Sequence, residues 1–505
     1  MAKQDSDAKA LKPVDKLKNA DNWKHLARWH GLGYYELQTE DTGDVPVRLF
    51  FTPQLLNDAE EILYRQIVNA TRFPGTRLVV ITPDAHYGYG VPVGCVVLTD
   101  SESGAIAMGP VGFDIGCGMV SARSGVHAAE ATPDKRLKFN QAVMERVAFG
   151  AGGKSYRFGK LSEQEFQNLV RGGAEYYVEK YGAPFDRSRA ERHLIPVSDD
   201  WQIPWGGKGK PERGLEQLGS LGSGNHFIEL QRSEQTGTLF VQVHTGSRGF
   251  GHGLATNYFE LARAEHPELL KDIDLGYFTP ESAHYRDYLN AVAAGGNYAI
   301  LNRLVIFEQV SEAFREVFGE GLELVYEISH NLVQREQHPE FGDVWVHRKG
   351  ATRAFPAGHP FLKGTRWEAT GHPVLIPGSN KDWSYILRPL EGASRSGYSV
   401  NHGAGRRISR GEAMRTLSQR KIDDEYREAG IVVNADGHVP LDEAAPCYKS
   451  SDEVVSAVVG AGLAEVEHRL WPLASLKGVD GLRRGRKRRK EGAAKEGGKK
   501  TSEHY

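Results

Sequence analysis

The stretch "GPVGFDIGCGM" (109–119) sets four glycines around one carboxylate, Asp114, and one thiol, Cys117, in a chain with three cysteines in 505 residues. A lone Cys in a glycine-rich turn is ordinarily packing, because a free thiol behaves as a small hydrophobe. Asp114 and Cys117 can also present an oxygen and a sulfur to one cation, with the glycines letting the backbone fold tightly around it. As packing, the loop asks nothing of distant segments. As a metal centre, it requires further ligands to converge on it from the rest of the chain.

Composition bounds what that chain is. A hydrophobic content of 40% and a charged content of 25% describe a soluble globular protein with ample core. The 58 glycines favour tight loops over long bundles. No run of 18 apolar residues occurs, so no membrane span is expected. The N-terminal segment 1–20, "MAKQDSDAKALKPVDKLKNA", is polar, lacks an apolar signal core and reads as flexible. Cys95, Cys117 and Cys447 are too scattered for a disulfide framework, which suits a reducing cytoplasm. The net charge of −2 hides an asymmetry. Residues 483–505 carry ten Lys/Arg against three Asp/Glu, so the body is net −9. This tail reads as a disordered basic extension, either idle or directed at a polyanion.

Between these ends, residues 21–482 read as one large mixed α+β catalytic domain without repeats or a separating linker. Helices are expected at 52–70, 161–182 and 284–318, the second being the one helix of a polar region at 128–215. Short strands are expected at 76–83 (ended by Pro83), 238–244, 322–330 and 372–378.

Several histidines fall in one local context. His244 ends "TLFVQVH" before "TGSRGFG", and His330 ends "LELVYEISH". His226 lies where "LGSLGSGNHFIEL" turns from glycine to apolar residues, and His402 lies in "SVNHGAGRRISR". Histidines at strand ends beside glycine loops can converge at one rim of a sheet, where loops carry chemistry on a rigid scaffold. In "NHFIE" (225–229), an extended backbone puts Asn225, Phe227 and Glu229 on one face and His226 on the other. One strand can then serve a metal through His226 and a planar ligand through Phe227 and Glu229. A carboxylate matches the adjacent N1–H and N2–H₂ donors of guanine and mismatches adenine. An ordinary edge strand remains the alternative for this stretch alone.

The motifs "PDAHYGYGVPVG" (83–94), "VGFDIGCGM" (111–119), "LGSLGSGNHFIE" (218–229), "HTGSRGFG" (244–251), "SHNL" (329–332), "HRKGATRAFPAG" (347–358), "PGS" (377–379) and "HGAGR" (402–406) together resemble the RtcB family of RNA ligases, in the same order, over about residues 80–480. The resemblance implies an RtcB-like fold with a dinuclear metal site at a sheet edge. It also implies an activity: joining RNA 2′,3′-cyclic phosphate or 3′-phosphate ends to 5′-hydroxyl ends, with GTP and two Mn²⁺ ions. By the same resemblance Cys117 bridges two metals, Asp114 and His226 complete one site, and His244 and His330 the other. His402 is then the nucleophile that takes GMP. Asn225, Phe227, Glu229, Asn331, Ser379, Ser384, Arg406, Tyr448 and Lys477 fall where the family holds the nucleotide, and Arg248 and Lys349 match basic positions expected to meet phosphates. An archease-type activator is a possible partner.

Two departures stand out. The family's usual "PGSMGTAS" is "PGSNKDWS" (377–384) here, and Asn401 precedes His402 where a small residue or Cys is common. Lys381 and Trp383 either contact the triphosphate and the base or block the nucleotide. The rival readings are a metal-dependent phosphoesterase or nuclease using an activated water, and a non-ligating homologue that binds RNA ends or nucleotide.

Overall fold

Runs of Val, Ile and Leu broken by glycine turns make strands, and among the described residues these assemble into two large sheets and three two-stranded ones. The computed structural model describes residues 16–182, 194–269 and 275–478; the basic tail 483–505 and residues 1–15 of the N-terminal segment lie outside the described residues. Lys18 and Asn19 donate their backbone N–H groups to Asp41.

The first sheet has seven strands in the order Arg28–Trp29, Tyr35–Leu37, Val47–Leu49, Thr76–His86, Val93–Asp100, Gly342–Lys349, Asn331–His338. The second runs Glu323–Ser329, Gly118–His127, Thr238–Thr245, Phe227–Ser233, Ala464–Lys477, Ser384–Pro389, Val374–Ile376, with Val432–Val433 beside the long strand. Neighbours are antiparallel except Val47–Leu49 with Thr76–His86 and Val432–Val433 with Ala464–Lys477. The chain crosses from the second sheet to the first at one residue, His330, between Ser329 and Asn331.

The helix Tyr285–Phe318 is 34 residues long and buried around most of its circumference. A helix apolar on all sides belongs inside a protein. It packs against the second sheet and against Pro133–Arg146, Glu163–Tyr181 and Arg248–Glu265. Among the described residues no helix is long and apolar enough to cross a membrane.

The mixed α+β architecture and the helix expected at 284–318 are present. Three local expectations differ. The helix expected over 52–70 is two, Pro53–Asp58 and Leu63–Thr71, because Ala59 turns extended at ψ 136°. The region 128–215 holds a second α-helix, Pro133–Arg146, capped by Thr132 with Pro133 in its first turn. Pro83 does not end its strand: Thr76–His86 continues through it, with a register irregularity between Ile81 and His86 that absorbs the missing N–H.

Candidate active site

Strand register builds the site. Gly118 pairs with both Thr245 and Ser329, while Phe227 pairs with both His244 and Lys477. Cys117, His226, His244, His330 and Lys477 therefore stand along one rim of the second sheet. The glycines flanking Cys117 are needed for close approach. A Cβ on Gly116 (φ 75°) would lie 2.8 Å from Ala299 of the long helix, and one on Gly118 would lie 2.2 Å from the Ile328 carbonyl. The buried guanidinium of Arg303 locks this rim from below. It donates to Gly116 O (2.6 Å), Thr245 O (2.9 Å) and Ser329 Oγ (2.6 Å), each one residue from a candidate ligand, and pairs with buried Glu327.

The ligand atoms of Cys117, His244 and His330 lie within 4.8 Å of one another, as do those of Asp114, Cys117 and His226. His226 Nδ1 faces Leu221 O at 3.0 Å and His244 Nδ1 faces Asn225 O at 3.1 Å. A carbonyl only accepts, so each Nδ1 carries a proton, and in the neutral ring of His244 Nε2 is left as a lone pair. Both Nε2 atoms face Cys117 Sγ, 3.6 and 3.3 Å away; that of His226 also lies 3.1 Å from Asp114 Oδ2, and that of His244 3.3 Å from His330 Nε2. Burial holds the imidazoles of His244 and His330 well below the ordinary histidine range, so both are neutral. Burial, and then the Asp114 charge, push the Cys117 thiol up. At Asp114 burial opposes ionisation, but the hydrogen bond and charge of His226 outweigh it and keep the carboxylate ionised. Crowded lone pairs around one sulfur are what a pair of divalent cations sharing a thiolate requires, and a bound cation would deprotonate that thiol.

His402 sits beside this cluster, its ring 4.9 Å from that of His330. It arrives on Ser399–Asn401, which pairs with Ala351–Arg353. Asp84, fully buried, accepts from His402 Nδ1 (2.6 Å), His402 N (3.0 Å), Gly403 N (3.2 Å) and Thr82 Oγ1 (2.6 Å). Burial opposes its ionisation, and the His402 charge and these hydrogen bonds override that. With Nδ1–H committed to Asp84, His402 Nε2 is the free atom. The motif reading missed Asp84, although a carboxylate in an apolar strand, "LVVITPDAH", signals a buried charge that must find a partner. Gly405 (φ 76°) is required by the same contact, since a Cβ there would strike Asp84 O at 2.0 Å.

Two cavities meet at the cluster. A cleft of about 510 Å³ is lined by Phe227, Asn331, Lys349, Ser379, His402, Arg406, Tyr448 and Lys477 among others. A second, of about 930 Å³, is lined by His226, Arg248 and neighbours, while Asp114 and Asn225 line both. His226 and Phe227 thus face opposite ways. Arg248 and Lys349 are not brought together, since each lines a different cavity. Lys349 Nζ holds Tyr89 O and Val91 O, and Arg248 holds Gly150 O, Ala151 O and Ser220 Oγ.

Glu229 and Ser384 do not line the cleft. Glu229 accepts from Gln231 at 2.7 Å, and Ser384 Oγ accepts from Gly378 N at 3.0 Å, bracing the loop from behind. Burial raises the Glu229 carboxyl to about 7. Lys381 turns away from the cleft to pair with Glu425 at 3.0 Å, and Trp383 packs on Trp471 under the Arg469 guanidinium. Neither side chain lines the cleft, although the Lys381 N–H reaches Ser379 Oγ at 3.5 Å.

Glu443, also absent from the motif reading, gathers cations that line the first cleft. Its buried carboxylate takes Arg406 (3.4 Å), Arg410 (3.1 Å) and Lys477 (3.5 Å) and accepts from the Tyr448 hydroxyl. Burial opposes its ionisation, and Lys477 and Arg410 keep it charged. Lys477 also lies 5.3 Å from the Phe227 ring.

The two large sheets thus bring together a Cys/His/Asp cluster that could hold metal, a carboxylate-held histidine and a cation-lined cleft, the combination expected of an enzyme site. The model of tRNA-splicing ligase RtcB matches residues 66–478. The chain is 36% identical over 466 residues to a tRNA-splicing ligase RtcB of Pyrobaculum aerophilum, covering 86% of this chain and 95% of that protein. It is 35% identical over 464 residues to the Thermococcus kodakarensis tRNA-splicing ligase RtcB, with the same coverage. To the Mycobacterium tuberculosis RNA-splicing ligase RtcB it is 36% identical over 441 residues, covering 82% of this chain and all of that protein. The chain belongs to the RtcB family.

Proposed function

We propose that this protein is a GTP- and Mn²⁺-dependent RNA ligase that joins 2′,3′-cyclic phosphate or 3′-phosphate ends to 5′-hydroxyl ends through a guanylylated His402. The observation that carries this reading is the placement of His402, its Nδ1 held by Asp84 and its Nε2 left uncommitted, beside the Cys117 cluster in a cation-lined cleft. A carboxylate-held histidine also serves hydrolytic enzymes as a general base for water, so covalent capture of GMP is what separates the two readings.

In this reading Asp114, Cys117 and His226 hold one ion and Cys117, His244 and His330 the other. When bound, the ions neutralise phosphate charge and polarise the phosphorus under attack. Arg406 and Lys477 bind the nucleotide with Tyr448, Ser379, Asn331 and Asn225, and Phe227 addresses the base; Glu229, buried two residues along the same strand, joins it by exchanging the Gln231 amide for the guanine donors. His402 Nε2 attacks the α-phosphorus of GTP, forming a P–N bond as pyrophosphate leaves, and Asp84 stabilises the positive ring. A 3′-phosphate has no leaving group of its own. Passing GMP from His402 to that phosphate supplies one, and the 5′-hydroxyl oxygen then displaces GMP. Arg248 and Lys349 are proposed to meet phosphates from opposite sides of the centre. A bridging thiolate must stay reduced, which suits a cytoplasmic enzyme.

Incubation with GTP and Mn²⁺ followed by intact mass measurement tests this. A GMP adduct, labile to acid, stable to alkali and lost in His402→Ala, is expected. An adduct on another residue, or equal labelling by ATP, overturns the assignment.

A further inference from the structure

The loop that follows Thr76–His86 carries two tyrosines at the mouth of the cleft. Its backbone is pinned at nearly every residue. Glu60 accepts Tyr87 N at 3.0 Å, and Gln66 both accepts Gly88 N at 3.0 Å and donates to Gly88 O. Asn69 donates to Gly90 O at 2.8 Å, and Lys349 donates to Tyr89 O at 2.7 Å and Val91 O at 3.1 Å. Yet the two side chains are left in water: Tyr87 is 49% and Tyr89 60% exposed. Among the described residues neither ring meets another ring or a cation, and neither hydroxyl has a hydrogen-bond partner. Both line the cleft together with Lys349, His402, Arg406 and Arg407.

Rings that stabilise a fold are buried. These two are held in place by their backbone and contribute nothing to the core. What they offer is a pair of flat apolar faces, carried on a fixed backbone, at the entrance to a cationic cleft. A ligand that uses both features joins planar groups along an anionic chain. Unpaired nucleotides at an RNA end do this, whereas a duplex hides its base faces in its own stack.

We infer that Tyr87 and Tyr89 form a stacking platform for the unpaired terminal nucleotides of the RNA, so that the enzyme engages single-stranded ends in preference to blunt duplex ends. The inference rests on the RNA-ligase reading of the same cleft and adds the form of end it takes. Stacking is tolerant of base identity, so the platform selects single-stranded character without selecting sequence.

The test uses the full chain and RNA with 2-aminopurine at its two terminal unpaired positions. Binding is read first without GTP, as fluorescence quenching, and ligation is read separately. Wild-type protein should quench the probe and favour an overhang over a blunt end. Tyr87→Ala/Tyr89→Ala should lose most of the quenching and that preference, with KM for RNA rising about tenfold or more. Tyr87→Phe/Tyr89→Phe should keep both. Both variants should form the GMP adduct as wild type does. Unchanged quenching and KM in the alanine variant overturn the inference and leave the rings as a surface for another protein. Equal losses in the phenylalanine variant overturn it too, because the hydroxyls would then carry the effect. A wild-type chain that forms no adduct overturns the ligase reading alone, since the quenching experiment does not depend on guanylylation.

Discussion

A histidine attacks only through a nitrogen that carries no proton, and in the proposed reaction the contact between Asp84 and His402 Nδ1 is what assigns that part to Nε2. Asp84→Asn keeps the shape and removes the charge. Its amide can offer an N–H to Nδ1, driving the proton to Nε2. Single-turnover formation of the GMP adduct should fall about 10²- to 10⁴-fold while bound metal, counted by elemental analysis, stays unchanged. Loss of metal together with activity would assign Asp84 to the cluster instead. Glu229 makes the second residue-scale prediction. Burial raises its carboxyl to about 7, so it is mostly neutral at pH 6 and mostly ionised at pH 8. Only the ionised form accepts from both guanine donors. GTP affinity, measured by calorimetry, should therefore tighten up to about tenfold over that range, and Glu229→Gln should flatten the dependence. A slope of the opposite sign would remove Glu229 from base recognition.

At the scale of elements, the long helix does more than fill the core. Arg303 projects from it into the strand ends that carry the cluster. Arg303→Met leaves the buried Glu327 carboxylate uncompensated and should cost about 3–5 kcal/mol, read as a lower urea midpoint. Adding Glu327→Leu should restore much of the stability but not the Mn²⁺ affinity, expected to stay about 10- to 100-fold weak because the rim carbonyls have lost their donor. Recovery of both would reduce Arg303 to a packing residue. The helix at 285–318 was legible because its apolar residues repeat over many turns. So was the convergence of Cys117, His226, His244 and His330, because each stands at a strand end beside glycine. Asp84 and Glu443 were not, since their partners are fixed only by the fold; Asp84 meets His402 across 318 positions of sequence. Pro83 read as a terminator because a ladder irregularity has no local signature. Lys381 and Trp383 read as either contacting or blocking a nucleotide, and only tertiary contacts show their side chains engaged by Glu425 and Trp471 away from the cleft lining.

Over the whole molecule, charge is divided between an acidic body and a basic tail at 483–505. If the tail contacts RNA backbone, its deletion should weaken RNA binding and flatten the dependence of affinity on salt, because fewer counterions are released. GMP transfer to His402 should survive. An unaltered salt slope would mean that the tail takes no part. The crossing of the chain at His330 has a consequence of another kind. His330 is the hinge point between two sheets, and its proposed partners in the cluster belong to neighbouring strands of one of them. A cation bound there rivets the seam, adding a free energy that grows with the logarithm of ion concentration. Chelation should then lower the melting temperature and speed amide exchange in Glu323–Ser329 and Asn331–His338 together. In a cell, the molecules short of metal would also be those most readily opened and degraded, so the standing amount of protein would follow the metal supply without a separate sensor.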